Sequence, residues 1–109
     1  MDETLIVLTN MPDRAAAVKL ARELVERRLA ACVNVLGECT SVYRWKGAIE
    51  NAQEVPMLIK TRAALYGELE AAIGELHPYE LPEIIAVPIV RALPEYLQWV
   101  GEGTSISIG

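Results

Sequence analysis

The chain has 109 residues, of which 52% are hydrophobic and 23% are charged, and its formal net charge is −5. This length suits one domain spanning residues 1–109, and the composition is too apolar for a disordered protein. The negative charge argues against nucleic acid or an anionic membrane as a partner, because both require clustered basic residues. No segment has the pattern of a signal peptide or a membrane span, so we expect a cytoplasmic protein.

The first half of the chain predicts a strand, a helix and a long hairpin. The apolar run at residues 4–9 indicates a buried strand, and apolar residues at helical spacing predict a helix over 13–29. Residues 31–36 and 40–45 are β-prone, and Gly37 between them indicates a bulge or bend. A turn follows at residues 46–48. A third strand is predicted over 54–61, in which Pro56 indicates an edge or bulged position.

The second half predicts a helix, a strand and a last helix. Thr61 is a candidate cap for the second helix. A fourth strand is predicted over 84–87, with Pro88 limiting it to an edge or an end, and Pro94 opens the last helix. Residues 104–108 alternate like a further short strand. The buried stripe of the second helix is predicted to be Leu65, Leu69, Ala72, Ile73 and Leu76. The order β-α-β-β-α-β with a terminal helix predicts an α+β, ferredoxin-like sandwich.

The hairpin over residues 31–61 is long for a small domain, since strands usually have about five or six residues. Its end is therefore expected to extend beyond the helices and to expose an unpaired ladder together with Tyr43 and Trp45. Pairing with further copies of the chain would cover both. We therefore expect a closed ring or a dimer rather than a monomer, with Tyr43 and Trp45 as interface anchors rather than a ligand cage.

Residues 77–83, His-Pro-Tyr-Glu-Leu-Pro-Glu, contain the only histidine and three further polar side chains. Two prolines stiffen this segment between the predicted second helix and fourth strand. A stiff, polar loop suggests a built site. The alternative is that the prolines only stop one helix and start one strand.

Five motifs occur in order along the chain: LAACVN at 29–34, SVYRWKG at 41–47, IKT at 59–61, HPYELPEI at 77–84 and YLQW at 96–99. Together they resemble the CutA (divalent-cation tolerance) family over residues 5–100. The resemblance implies a ferredoxin-like subunit in a tight homotrimer, shaped like the PII nitrogen-signalling proteins. It also implies a role in tolerance of copper and other divalent metals, by binding rather than by catalysis.

His77 is the best candidate metal ligand, because a neutral imidazole suits Cu(II) or Zn(II). The resemblance implies two further ligands, a preceding histidine and a cysteine at the end of the first strand. Leu76 and Thr9 stand at those positions here. Side chains that would complete the site are Glu80, Glu83 and Cys39, or residues of a neighbouring subunit. The alternative for His77 is a hydrogen-bonded loop histidine at a subunit junction.

Tyr79, Glu80 and Glu83 are also candidates for a small polar cleft with Lys60. Their alternative role is to bind backbone amides and to pair charges across subunits. Catalysis is not expected, because the chain has no Ser-His-Asp or Cys-His arrangement and no phosphate loop. Two functions compete. One is a trimeric copper or divalent-metal binding and tolerance protein. The other is a trimeric PII-like signalling or scaffold module that binds a small ligand or a protein at clefts between subunits.

Overall fold

The computed structural model describes residues 3–104. The strands are Thr4–Met11 (β1), Cys32–Val35 (β2), Cys39–Trp45 (β3), Ala48–Arg62 (β4) and Ile85–Pro88 (β5). The helices are Arg14–Glu26 (α1), Tyr66–Leu76 (α2) and Pro94–Gly103 (α3), and a 3₁₀ turn, Ala63–Leu65, precedes α2. The strand predicted over 104–108 lies outside the described residues except for Thr104. No helix in residues 3–104 has the length and apolar character needed to cross a membrane.

The strands form a sheet in the order β2-β4-β1-β5, with β3 paired to β4 beyond the end of β2. Every pairing is antiparallel. The predicted second strand is divided into β2 and β3, and β4 begins at Ala48, six residues before the predicted start. With β2 and β3 counted as one interrupted strand, the predicted β-α-β-β-α-β order with a terminal helix is present, in a mixed α+β fold. β5 pairs only with β1, so it is an edge strand, as Pro88 predicts.

The core lies between one face of the sheet and the helices α1 and α2. Alternate residues of β1 are buried there, as expected for a strand with one covered face. Asp13 starts α1, because its carboxylate accepts a hydrogen bond from the Ala16 N–H at 2.8 Å. The core side chains include Val7, Met11, Leu20, Leu24, Met57, Ile59, Leu69 and Ile73.

Three sequence predictions about the helices need correction. α1 ends at Glu26 rather than at residue 29, because Arg28 takes a left-handed conformation with φ 59°. Thr61 does not cap α2: it is the penultimate residue of β4, and its hydroxyl donates to the Leu29 carbonyl at 2.7 Å. Leu76 does not belong to the buried stripe of α2, since its side chain is exposed at the end of that helix.

Strand β4 has 15 residues and extends well beyond its neighbour β1. The last β1 pair is Met11 with Val55, and from Glu54 to Ala48 the strand pairs only with β3. We call β3 and residues 48–54 the hairpin arm. The longest dimension of the chain is 49 Å, and its radius of gyration is 14.7 Å. A compact domain of this size has a radius of about 13 Å. The predicted overhang is therefore present.

Pro56 lies inside β4, which is a central strand, and so does not occupy an edge. Its carbonyl accepts from the Leu36 N–H at 2.9 Å, which places its missing N–H on the side of β2 and β3. On that side, three residues, 36–38, lie opposite two residues of β4. This is the bulge that the sequence offered as one of two explanations for Gly37 and for Pro56.

Candidate functional site

The hairpin arm and the loop at residues 78–83 enclose a cleft of about 900 Å³. This volume is within the range of sites for small organic ligands, roughly 300–1,000 Å³. The cleft is lined by Asn10 of β1, residues 41–45 of β3, Ala52 and Glu54 of β4, and the loop residues Pro78, Tyr79, Glu80, Leu81 and Glu83.

His77 fixes the start of this loop to the end of β1. It follows the last residue of α2, and its ring is buried. Nε2 lies 2.7 Å from the Asn10 carbonyl oxygen, and Nδ1 accepts from the Tyr79 N–H at 3.2 Å. These partners require the neutral tautomer with its proton on Nε2. Both ring nitrogens are thus engaged with backbone, so within one chain His77 is a hydrogen-bonded loop histidine.

Tyr79 connects this loop to the arm. Its ring centroid is 4.7 Å from that of His77. Burial raises the pKa of the Tyr79 phenol to about 12, and hydrogen bonding to the Glu54 carboxylate adds to the shift. Glu54 is itself only 8% exposed. In residues 3–104 no Lys, Arg or His forms an ion pair with it. A buried carboxylate therefore lies at the cleft with a phenol as its side-chain partner.

The arm presents aromatic and small side chains on the face that it shares with Glu54. Residues alternate along a strand, so Ser41, Tyr43 and Trp45 project from the same face of β3. Across the ladder, Ser41 is opposite Ala52, and Cys39 is opposite Glu54. The two small residues leave space, and the two aromatic residues wall the cleft toward the tip of the arm.

An ammonium group of the chain itself lies near the rim of the cleft. Lys46 Nζ is 3.7 Å from a Glu80 carboxylate oxygen and 5.6 Å from the centroid of the Trp45 ring. Both members of the ion pair are more than 70% exposed, so the pair is weak and easily separated.

Five of the predicted site residues meet at this cleft: Tyr43, Trp45, Tyr79, Glu80 and Glu83. Lys60 does not join them. It pairs with Ile6 and Cys32, six residues beyond Glu54 along β4. That separation corresponds to about 20 Å of extended strand.

The predicted metal ligands His77, Glu80, Glu83 and Cys39 are not gathered into one site within a chain. In the described range, no group of three His, Cys, Asp or Glu side chains is arranged to hold a metal ion. Cys39 Sγ lies 3.9 Å from Ser41 Oγ. Thr9 is buried with the core-facing residues of β1.

The sequence did not identify Glu54 and Asn10 as site residues. Glu54 was only the first residue of a predicted strand, and Asn10 followed another. They reach the cleft because β4 continues past the end of β1 and because the loop after α2 folds back over that end. An acidic residue next to the apolar positions of a predicted strand was the one local signal, since acids are depleted in strands.

Comparison with known proteins gives consistent results. The family model "CutA1 divalent ion tolerance protein" matches residues 5–103. A divalent-cation tolerance protein CutA from Thermus thermophilus is 43% identical over 91% of this chain and 96% of its own length. Protein CutA of Mus musculus is 46% identical over 85% of this chain, which spans 52% of the mouse protein.

Solved structures agree in fold with this chain. CutA from Xylella fastidiosa superposes with a TM-score of 0.92 at 42% identity, covering 94% of this chain and 99% of that one. CutA1 from Oryza sativa gives a TM-score of 0.93 at 34% identity, covering 97% of each chain. With the family model matching nearly all of the described residues, the chain belongs to the CutA1 divalent ion tolerance family.

Proposed function

We propose that this protein contributes to tolerance of divalent metal ions as a homotrimer, and that it binds its ligand rather than transforming it. The observation that supports this proposal is the family match over residues 5–103. The Thermus thermophilus relative, which this chain spans almost completely, is named for divalent-cation tolerance. Both ring nitrogens of His77 are occupied by backbone groups, so this histidine has no free nitrogen for proton transfer within one chain. This agrees with binding of a ligand rather than its chemical transformation.

The described residues of a single chain do not form a tight metal site, because the candidate ligands are not close to one another. Zn(II) and Cu(II) sites normally use three or four protein ligands. Glu80 and Glu83 are exposed at the rim of the cleft. We therefore propose that divalent ions bind these carboxylates together with groups of a neighbouring copy, and that copper is one such ion.

The trimer is supported by surfaces that one copy leaves uncovered. The arm is a two-stranded ribbon, and such an isolated ribbon is marginal in water. The face of the arm turned away from Glu54 exposes Val42 and Ile49, at 69% and 70%.

Strand β5 leaves a second apolar surface uncovered. Ile85 and Val87 are 50% and 45% exposed there, opposite Leu8 and Ile6 of β1. Further copies of the chain would cover these apolar groups. The anchor role of Tyr43 and Trp45 stays a prediction.

Calorimetric titration with Cu(II) and with Zn(II) tests the metal proposal. The wild type is compared with Glu80→Gln/Glu83→Gln and with Glu26→Gln, an exposed charge control on α1. We expect saturable binding that the double variant weakens and the control retains. Weak uptake that is equal in all three proteins would contradict the proposal.

His77→Ala is not a suitable variant for this test, because it also leaves the Asn10 and Tyr79 backbone groups without their hydrogen-bond partner.

The cleft favours a second candidate function, a signalling or scaffold module that binds a small ligand or a protein. A volume of about 900 Å³ is far larger than a metal ion needs. In that case a ligand would protect the amides of residues 77–83 from hydrogen exchange, and metal uptake would be weak and nonspecific. Unchanged exchange in the presence of ligand would count against this function.

The cytoplasmic location remains a proposal. The relative from Arabidopsis thaliana is named chloroplastic, and the structure from Archaeoglobus fulgidus is described as a periplasmic protein. Members of this family are thus named for different compartments. Fractionation of cells that produce this chain would locate it.

A further inference from the structure

We propose that the cleft beneath the hairpin arm binds an aliphatic polyamine, with one ammonium group at the buried Glu54 and another at the rim near Glu80 and Glu83. This inference rests on the second candidate function, ligand binding at the cleft, and it names the chemical class of the ligand. Its support is the buried charge, the chain's own ammonium group, and the shape of the cleft.

Glu54 supplies the first argument. More than nine-tenths of its surface is buried, yet within residues 3–104 its side chain has the Tyr79 phenol as partner and no cation. Burying a carboxylate without a compensating positive charge is unfavourable. A ligand ammonium that enters the cleft provides this charge and hydrogen-bond donors. The phenol of Tyr79 uses one acceptor position of the Glu54 carboxylate, and the other positions can accept hydrogen bonds from an ammonium group.

Lys46 supplies the second argument, because it shows how this rim holds an ammonium group. Its Nζ is 3.7 Å from the Glu80 carboxylate and lies over the Trp45 ring at 5.6 Å from the centroid. A carboxylate and an aromatic face are the two features that recognise alkylammonium ions in proteins. The Lys46 contact is exposed and weak, so an ammonium group of a ligand can replace it.

The shape of the cleft distinguishes a polyamine from a bare metal ion. A divalent ion needs carboxylate oxygens converging to about 2.0–2.6 Å, and the described acids do not form such a group. Here the acids are separated, with Glu54 at the base of the arm and Glu80 close to Lys46 at its tip. Tyr43 and Trp45 wall the space between them. A flexible methylene chain with charges at intervals matches both the separated carboxylates and the aromatic wall.

Arg44 also borders the cleft, so its charge has to be considered. It alternates with Tyr43 and Trp45 along β3, and its side chain therefore leaves the opposite face of the strand. Three carboxylates against one guanidinium keep the lining net negative. This balance favours a cationic ligand.

Calorimetric titration with spermidine, in a buffer containing a metal chelator, tests the proposal on the full chain in its assembled state. The variants are Glu54→Gln, which retains an acceptor for Tyr79, and Glu80→Gln/Glu83→Gln, which changes only exposed groups. Lys46→Met removes the competing ammonium. Glu26→Gln is the matched charge control, and sedimentation of every variant checks that assembly is unchanged.

We expect saturable spermidine binding that Glu54→Gln weakens about tenfold or more, as for loss of a charged hydrogen bond. The rim double variant should weaken it also, Glu26→Gln should leave it unchanged, and Lys46→Met should retain or strengthen it. No binding, or equal binding by wild type and both site variants, overturns the proposal. If a second copy of the chain fills the cleft, spermidine will not bind, and the proposal is overturned in the same way. Because metal is chelated, failure here leaves the Cu(II) and Zn(II) titration unaffected.

Discussion

Two threonines on neighbouring strands are equally buried but differ in their hydrogen bonding. Thr9 is 1% exposed and Thr61 is 0% exposed. The Thr61 hydroxyl donates to the Leu29 carbonyl, whereas Thr9 Oγ1 has no hydrogen-bond partner in the described part of the chain. A buried hydroxyl without a partner loses the hydrogen bonds that it makes in water. The two positions therefore form a matched pair for measuring this cost.

Thr9→Val should raise the free energy of unfolding by about 1 kcal/mol, because it removes an unsatisfied buried hydroxyl at nearly constant volume. Thr61→Val should lower it by about 1–2 kcal/mol, since the Leu29 carbonyl then lacks its donor. Denaturant unfolding at one fixed chain concentration measures both. Changes of the same sign and size in the two variants would contradict this account.

The phenol of Tyr79 predicts a dependence of stability on alkaline pH. Its pKa is raised in the fold from 10.0 to about 12, mainly by burial and then by Glu54. The fold therefore favours the protonated phenol. This contribution to stability is complete below pH 10 and is lost as the pH rises through about 12. Ultraviolet difference titration should show a late-titrating phenol that is absent in Tyr79→Phe and titrates earlier in Glu54→Gln. Its persistence in Tyr79→Phe would refute the assignment.

At the scale of elements, the turn of the hairpin arm carries conformational strain at one residue. Lys46 has φ 49° and Gly47 has φ 85°, so both central residues are left-handed, as in a type I′ turn. Glycine accepts this conformation freely, but a lysine does not. Asparagine is the residue most often found before glycine in such turns.

Lys46→Asn should raise the free energy of unfolding by roughly 0.5–1 kcal/mol by relieving this strain. Lys46→Ala is the control, since it removes the same contacts with Trp45 and Glu80 but keeps the unfavourable backbone preference. Thermal unfolding of the two variants and the wild type measures the difference. Equal melting temperatures for Asn and Ala would show that the turn is not strained at this position.

The elements were predictable from the sequence where a local pattern determines them. Alternation and apolar runs indicated the strands, and Asp13 marked the start of α1. The end of α1 was not predictable, because Arg28 adopts a left-handed conformation at a position where glycine is the usual signal. The site was predictable only in part. Residues 77–83 stood out by composition, whereas Glu54 joins them through the offset between β4 and β1, which no local pattern encodes.

At the scale of the whole molecule, the exposed apolar residues of β5 provide a test of the proposed homotrimer. Light scattering of the wild type should give three times the mass of one chain. Ile85→Glu places a charge on the uncovered sheet face and should shift the mass toward one chain, since a buried unpaired charge opposes association. Val18→Glu changes an exposed valine on α1 and should preserve the trimer. A monomeric wild type would contradict the proposed homotrimer, and a trimeric Ile85→Glu variant would contradict the proposed use of β5 in its interface.

Pro56 has a consequence for how the longest strand finds its alignment. A shift of β4 by one residue would move the position without an N–H out of the bulge and into a regular part of the ladder. It would also turn Met57 and Ile59 away from the helices, because side chains alternate between faces. The misplaced proline and the exposed core side chains both make a one-residue shift of β4 unfavourable. Pro56 therefore favours a single register for the 15-residue strand β4. This register determines which residues meet at the cleft.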